Sequence, residues 1–323
     1  MKKFLTLFII FIALISCEEN FNPYGELKDR YILNCIIRGD TTFQTVTLTR
    51  DYQVENFDPY SNTEDVNVKN ALIRIWNGND KVSLFRDTTI ERQVGDKYKT
   101  PYTVFKTNDL MPTPNSKVEI EAILPNGKKL TSVANVPDVI NITDSLSDKI
   151  IPPTDNKKYI KVSWFTNERN PVLIVRLAIY YFKHENGLKT RNLMTVPLNY
   201  IQYGNEWIPN YPKPVTDQAY SVDMNTINKA MELISKDDPN KSRYEILSCI
   251  LEVLSLDTEL RKYYFATARS RDIYSIKLDE TDYSNINGGY GVFGVYMRTY
   301  WVLRFTHQYI NSFGYTPGLS DVK

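Results

Sequence analysis

The sequence predicts a mainly β protein built as two β-sandwich domains, with a small helical insertion in the second. Many short stretches alternate apolar and polar residues, which is typical of half-buried strands. Asn-Gly pairs separate several of these stretches, as they do in β-hairpins. Tyrosine is abundant at 23 residues, whereas glycine is sparse at 13. Aromatic side chains favour strands, so composition and periodicity agree.

The chain begins with a segment that is typical of a secretory signal peptide. Lys2 and Lys3 precede an apolar run, Phe4 to Ile15, that is too short to span a membrane as a helix. The run ends in Leu-Ile-Ser-Cys, which resembles the lipobox of bacterial lipoproteins with Cys17 as its cysteine. We therefore expect residues 1–16 to be removed and Cys17 to carry the lipid that holds the chain on a membrane. An ordinary signal peptide with a chance cysteine is the alternative.

Two acidic residues, Glu18 and Glu19, follow the cysteine directly. They resemble the signal that sends lipoproteins of one bacterial group to the outer face of the outer membrane. Residues 17–28 are then a lipidated tether, and the predicted location is the outer membrane, facing the cell exterior. The alternative is that both glutamates are simply the solvated start of the tether.

The remaining composition excludes some function classes. The chain has 39 basic and 38 acidic residues, so it lacks the basic field that nucleic acid requires. The other two cysteines, Cys35 and Cys249, lie in apolar runs and are predicted to be buried free thiols. A disulfide between them is the alternative.

The first domain is predicted at residues 29–137. Its strands are a continuous apolar stretch and an alternating one, followed by two hairpins that turn at Asn77-Gly78 and Asn126-Gly127. Several short strands at this spacing are typical of a β-sandwich. The predicted strands are Tyr31 to Ile37, Phe43 to Arg50, Ala71 to Trp76, Lys81 to Phe85, Lys117 to Leu124 and Lys129 to Val136.

The second domain is predicted at residues 138–323. It opens with alternating strands, continues through helices that Asp223 or Asn225 and Asp257 or Thr258 would cap, and ends in an aromatic strand and a polar tail. For Arg243 to Leu256, which is apolar on both faces, a buried strand is predicted and a helix is the alternative. The other strands are Tyr159 to Thr166, Val172 to Lys183, Leu188 to Leu198 and Tyr290 to Phe305. The helices extend to about Ser235 and from Glu259 to about Arg271.

An aromatic, proline-bearing loop lies between Leu198 and Tyr220. Its rings Tyr200, Tyr203, Trp207 and Tyr211 are candidates for stacking on sugars or for contact with a protein partner. The alternative is that these rings only cover the edge of the sandwich.

Residues that could support catalysis are few. The only histidines are His184 and His307, neither has metal ligands at a suitable spacing, and G-x-S-x-G is absent. Gly289 to Gly294 fits G-x-G-x-x-G, but a loop precedes it and a strand-like segment follows. A dinucleotide site needs a strand before this motif and a helix after it, so we expect a structural role for the glycines. The sequence thus predicts no enzyme, no cofactor and no metal.

Together, Cys17 with the two glutamates, the strand from Tyr31 to Ile37, Ala71-Leu-Ile-Arg-Ile and the segment Asn285 to Gly294 resemble one family. It comprises outer-membrane lipoproteins of unknown function that are usually encoded next to a TonB-dependent receptor. The resemblance implies an immunoglobulin- or transthyretin-like first domain and a second β domain, for which we expect a fibronectin-like sandwich. It also implies a β-barrel receptor as partner, and it supplies no catalytic residues.

These observations predict a lipid-anchored surface protein without catalytic activity. It would act as an accessory or ligand-capture subunit of a TonB-dependent receptor or of an outer-membrane assembly complex. The alternative is a surface protein that binds or processes glycans through the aromatic loop at residues 200–211. A glycan or a peptide is a possible ligand in either case.

Overall fold

The structure is a computed structural model. It describes residues 30–52, 58, 61–62, 66–78, 81–92, 101–143, 150–154, 157–168, 171–204, 206–269 and 283–318. The signal peptide and tether predicted for residues 1–28 lie outside these ranges.

The described residues form a mainly β structure with three α-helices. The strands are β1 Tyr31–Arg38, β2 Gln44–Arg50, β3 Leu72–Asn77, β4 Lys81–Ile90, β5 Tyr102–Thr107, β6 Lys117–Ile123, β7 Lys129–Asn135, β8 Asn141–Ile142, β9 Ile150–Ile151, β10 Tyr159–Phe165, β11 Leu173–Glu185, β12 Leu188–Val196, β13 Asn199–Tyr203, β14 Glu206–Asn210, β15 Ala219–Asp223, β16 Tyr244–Leu256, β17 Tyr290–Phe305 and β18 Thr316–Pro317. The helices are α1 Met224–Ser235, α2 Thr258–Arg269 and α3 His307–Ser312, and Lys241–Arg243 adds one 3₁₀ turn. The prediction of a mainly β fold with helices in the second half is confirmed.

Most strands belong to one large sheet. Its order is β12-β11-β16-β17-β1-β2-β5-β4-β3-β6-β7, with β18 beside β16 and β9 beside β17. Two smaller sheets have the orders β15-β10-β8 and β13-β14. Neighbours that are consecutive in sequence pair in an antiparallel manner, whereas β1 and β17, which lie near opposite ends of the chain, pair in parallel.

The first core lies where the large sheet folds over on itself. Alternate residues of β1 and β2, such as Leu33 and Leu48, face those of β3, β6 and β7, such as Ile75 and Leu130. The fold closes where Thr131 of β7 exchanges two backbone hydrogen bonds with Asn287, of 2.8 and 3.1 Å.

The second core lies between the other end of the large sheet and the β15-β10-β8 sheet. Leu177 of β11 and Leu251 of β16 face Trp164 of β10, and α1 packs Ile227 and Met231 into the same cluster. β16 is buried on both faces, which explains why its sequence is apolar almost without interruption.

β17 belongs to both cores. Its first half supplies Phe293 and Val295 to the first core, and its second half supplies Trp301 and Leu303 to the second. The strand changes partners at Tyr296, which is the last residue paired with β1 and the first paired with β16. The predicted boundary between residues 137 and 138 stays a prediction, and the large sheet runs continuously across it.

The glycines before β17 allow the parallel strands to approach closely. Gly291 has a φ of +113°, and a Cβ there would overlap the carbonyl oxygen of Leu33. A Cβ on Gly294 would overlap the side chain of Leu260 in α2. The motif therefore serves packing, and it leads from a loop into a strand, as the sequence indicates.

Ion pairs link four strands on the outer face of the large sheet. Arg298 of β17 pairs with Glu252 of β16, and with Asp40 at 3.1 Å. Arg176 of β11 binds Glu252 at 2.7 Å, and Arg38 of β1 binds Asp40 at 3.0 Å. Burial alone would raise the pKa of Glu252, but Arg298 and Arg176 outweigh it and lower that pKa.

Several strands and one helix of the structure were not predicted from the sequence. The loop between Leu198 and Tyr220 contains the hairpin β13-β14, and the polar tail contains α3 and β18. Tyr315 of that tail is buried against α1, and its hydroxyl donates to the backbone carbonyl of Met231 at 2.6 Å. β5 was not predicted, since its sequence, YTVFKT, is short and follows a long polar segment.

Candidate functional site

One candidate site is an open groove between the β13-β14 hairpin and the first turns of α1. Its volume is about 400 Å³, which is within the range of small-ligand sites. We call it the hairpin groove. It is lined by Leu198, Asn199, Tyr200, Trp207, Asp223, Asn225, Thr226 and Lys229.

The hairpin places two of the four predicted rings in this groove. Tyr200 pairs with Pro209, and Gln202 pairs with Trp207. Because side chains alternate along a strand, Tyr200 and Trp207 lie on the same face of the hairpin. Burial raises the pKa of Tyr200 to about 12, with a further contribution from Tyr211.

The other two predicted rings lie elsewhere. Tyr203 is on the opposite face of the hairpin and is 77 % exposed. Tyr211 follows β14, is 49 % exposed and does not line the groove. Of the predicted contact set, the structure therefore brings together only Tyr200 and Trp207.

Helix α1 holds the Trp207 ring in place. Its apolar face is buried in the second core, so Lys229 points from the helix towards the hairpin. The Lys229 ammonium lies 4.8 Å from the centre of the Trp207 ring and 3.1 Å from the carboxylate of Glu232. This cation–π contact restrains an aromatic ring that is still 42 % exposed, and such a contact contributes about 0.5–1 kcal/mol at an exposed site.

Short polar side chains line the rest of the groove. The Asn225 backbone N–H donates to Asp223 Oδ1 at 2.7 Å, which caps α1. Asn210 Nδ2 donates to Asn199 Oδ1 at 2.9 Å across the hairpin, and the Thr226 hydroxyl donates to the Leu198 carbonyl at 3.3 Å. Amides and a carboxylate beside exposed rings can hydrogen-bond a polar ligand while the rings contact its apolar faces.

Sequence reasoning missed five polar residues of the groove. Asn199 precedes the predicted rings, and the other four belong to α1 and its cap, which were interpreted only as a helix. The sequence did place a cap at Asp223, but it carried no signal that α1 would pack beside the hairpin. The missed residues are Asn199, Asp223, Asn225, Thr226 and Lys229.

The other predicted residues fall into two groups. Cys17, Glu18 and Glu19 lie outside the described residues. Cys35 and Cys249 are buried free thiols, one in each core, so the alternative of a disulfide between them is wrong. Burial raises the pKa of both thiols.

Neither a metal site nor a membrane-spanning helix is present among the residues that the structure describes. Within them, no group of three or more His, Cys, Asp or Glu side chains could hold a metal ion. No helix in this part of the chain has both the length and the apolar character needed to cross a membrane.

Comparison with known proteins adds no relative. No model of a known protein family matches the chain, and no curated protein sequence matches it.

Proposed function

We propose that the chain is a lipid-anchored protein of the outer membrane, facing the cell exterior, that captures a ligand without catalysing its conversion. It would hold the ligand in the hairpin groove as the accessory or ligand-capture subunit of a TonB-dependent β-barrel receptor or of an outer-membrane assembly complex. Its anchor would be the lipid on Cys17, with Glu18 and Glu19 directing export.

The observation that carries this proposal is the groove itself. The groove is open and is lined by aromatic rings and short polar groups, and the Lys229 ammonium contacts the Trp207 ring. A side chain whose position is already restrained loses less conformational freedom when a ligand binds, which favours ligand capture. The lipobox-like sequence is the reason for proposing an anchor at Cys17, and the family resemblance is the reason for proposing a receptor as partner.

The test is purification of the full chain from its native envelope in mild detergent. Mass spectrometry should find an N-terminal peptide that begins at a lipid-modified Cys17, together with a stoichiometric TonB-dependent barrel. A chain that is recovered alone as a monomer, with an unmodified N-terminus, would contradict the proposal.

A second candidate function is glycan binding, and the presence of both Tyr200 and Trp207 in the lining of one groove favours it. The faces of sugar rings carry C–H groups that pack on aromatic rings, and sugar hydroxyls bond amides and carboxylates. Asn199, Asp223 and Asn225 provide such groups beside the rings. Glycan processing would require an activity in addition to this binding.

Trp207→Ala tests this second function, with Tyr203→Ala as the matched control on the opposite face of the hairpin. If a glycan array identifies a bound sugar, Trp207→Ala should weaken its binding about tenfold or more, measured by titration calorimetry. Tyr203→Ala should bind like the unaltered chain. Equal glycan binding by the unaltered chain, Trp207→Ala and Tyr203→Ala would show that the hairpin groove is not the glycan-binding site.

A further inference from the structure

One end of the described structure gathers basic and aromatic side chains around Arg30, the first described residue. Arg30 precedes β1, Arg50 is the last residue of β2, and Lys128 lies in the turn between β6 and β7; all three are exposed. Lys129 adds a fourth cation, with a side chain that is 61 % exposed. Tyr290, the first residue of β17, is 47 % exposed at the same end. We call these five residues the anchor-proximal face.

Contacts between neighbours hold the face together. The Arg30 guanidinium lies 5.7 Å from the centre of the Tyr290 ring, and Lys128 Nζ lies 5.2 Å from the centre of the Tyr31 ring. Tyr31 in turn pairs with Arg50 across β1 and β2. The cations therefore belong to one surface although they come from three parts of the sequence.

The face is net positive. Among the described residues, the carboxylates in recorded contact with this face are those of Asp51, which accepts from the Arg30 backbone at 2.9 Å, and Glu121, which lies 3.7 Å from Lys129. Four cations thus face two carboxylates. The exposed Tyr290 adds a ring with an apolar body and a polar tip, as residues at membrane interfaces commonly have.

The length of the tether places this face near the membrane. Cys17 precedes Arg30 by thirteen residues, so even a fully extended chain would hold Arg30 within about 45 Å of the anchor. The opposite end of β17 lies roughly 50 Å away, because a strand rises ~3.3 Å per residue. There Tyr309 of α3 donates to Asn228 of α1 at 2.7 Å, beside the helix turns that line the hairpin groove.

We propose that the anchor-proximal face binds an anionic membrane surface and holds the body upright, with the hairpin groove turned away from the lipid. The orientation rests on the proposed anchor at Cys17, whereas the attraction to anionic lipid does not. The occupant is a lipid surface because the face surrounds the point where the tether enters the body.

The attraction is tested with the full mature chain carrying Cys17→Ser, which has no lipid. It should bind vesicles of phosphatidylcholine with phosphatidylglycerol in preference to phosphatidylcholine alone, and salt should weaken the binding. A juxtamembrane cation contributes about fivefold. The triple variant Arg30→Gln, Arg50→Gln, Lys128→Gln should therefore lose binding on the order of a hundredfold.

The matched control removes the same charge from exposed lysines of the second half, with Lys213→Gln, Lys236→Gln and Lys241→Gln. It should bind like the parent chain. Equal binding to both kinds of vesicle, or an equal loss in both triple variants, would overturn the proposal.

The orientation is tested with the lipidated chain in vesicles that contain a nitroxide-headgroup lipid. Fluorophores attached through Asn126→Cys and Glu206→Cys report the two ends, and the buried native thiols should escape labelling. The label at position 126 should be quenched and the label at position 206 should not; equal quenching would contradict the upright orientation. If native Cys17 carries no lipid but the chain still prefers anionic vesicles, the proposed lipid anchor is wrong and the proposed binding to anionic lipid is supported.

Discussion

Asp257 is a buried carboxyl group whose raised pKa can be tested by the pH dependence of stability. It is 2 % exposed and precedes α2, where its Oδ1 accepts from the Leu260 backbone at 2.7 Å. Its Oδ2 is buried and has no hydrogen-bond partner within the described residues. Burial raises the pKa of Asp257 to about 7, against the opposing effect of backbone bonds from Leu260 and Val295.

A raised carboxyl pKa makes the folded state less stable as the pH rises. Between about pH 4 and 7 the folded chain keeps a proton that the unfolded chain releases, so the free energy of unfolding falls by ~1.4 kcal/mol per pH unit. Asp257→Asn removes this penalty and retains an oxygen that caps α2. Its buried amide N–H₂ costs part of the gain.

We predict that Asp257→Asn raises the free energy of unfolding by roughly 1–3 kcal/mol at about pH 8.5. The advantage should shrink as the pH falls from 7 towards 5, as measured by urea unfolding at several pH values. Asp257→Ala, which also loses the cap, is the control. An advantage for the Asn variant that does not change with pH would contradict a raised Asp257 pKa.

At the residue scale, the sequence reveals only part of the site. Tyr200 and Trp207 were predicted as contacts because rings and prolines cluster in a polar segment. Asn199 and Lys229 carried no such signal, since their role depends on the packing of α1 beside the hairpin. Tyr203 was predicted together with Tyr200 and Trp207 because the sequence does not show the strand pairing. Only that pairing places Tyr203 on the opposite face of the hairpin.

At the scale of elements, β17 determines how the sheet is built. Its first half must lie against β1 without side chains between the two backbones, and Gly291 meets this requirement with a φ of +113°. Such a φ is unfavourable for other residues even where space is available. Gly127 in the β6-β7 turn provides a comparison, because its φ is +81° but nothing lies within 4 Å of a Cβ placed there.

We predict that Gly291→Ala lowers the free energy of unfolding by about 3 kcal/mol or more, because backbone strain adds to overlap with Leu33. Gly127→Ala should cost only about 1 kcal/mol, from strain alone. Urea unfolding followed by tryptophan fluorescence measures both. Equal costs would mean that close packing of β17 on β1 is not the reason for glycine at position 291.

Periodicity predicted most strands and both long helices, because burial on one face leaves a repeat of two or about 3.6 residues. It could not predict that β17 pairs in parallel with β1, since alternation indicates a buried face but no partner. The β13-β14 hairpin was interpreted as a loop because Pro209 argues against a strand; β14 tolerates it at the edge of a two-stranded sheet.

At the scale of the whole molecule, two cores share one strand. The ion pairs through Arg298 add a second link, since they join β11 and β16 to β17 and to Asp40, just after β1. The proposed anchor and the hairpin groove would thus lie at opposite ends of a body that is continuous through β17. The sequence predicted two β-sandwich domains, and strand patterns could not indicate that one strand contributes to both cores.

This continuity is the central claim, and the two buried thiols test it directly. Cys35 lies in the first core and Cys249 in the second, so pulse labelling with a thiol reagent during urea unfolding reports each core separately. The chain with Cys17→Ser restricts labelling to these two sites. If β17 joins the cores into one cooperative unit, both thiols should become reactive with the same urea midpoint. Midpoints that differ by more than about 0.5 M, outside the usual uncertainty of such transitions, would show that the cores unfold independently.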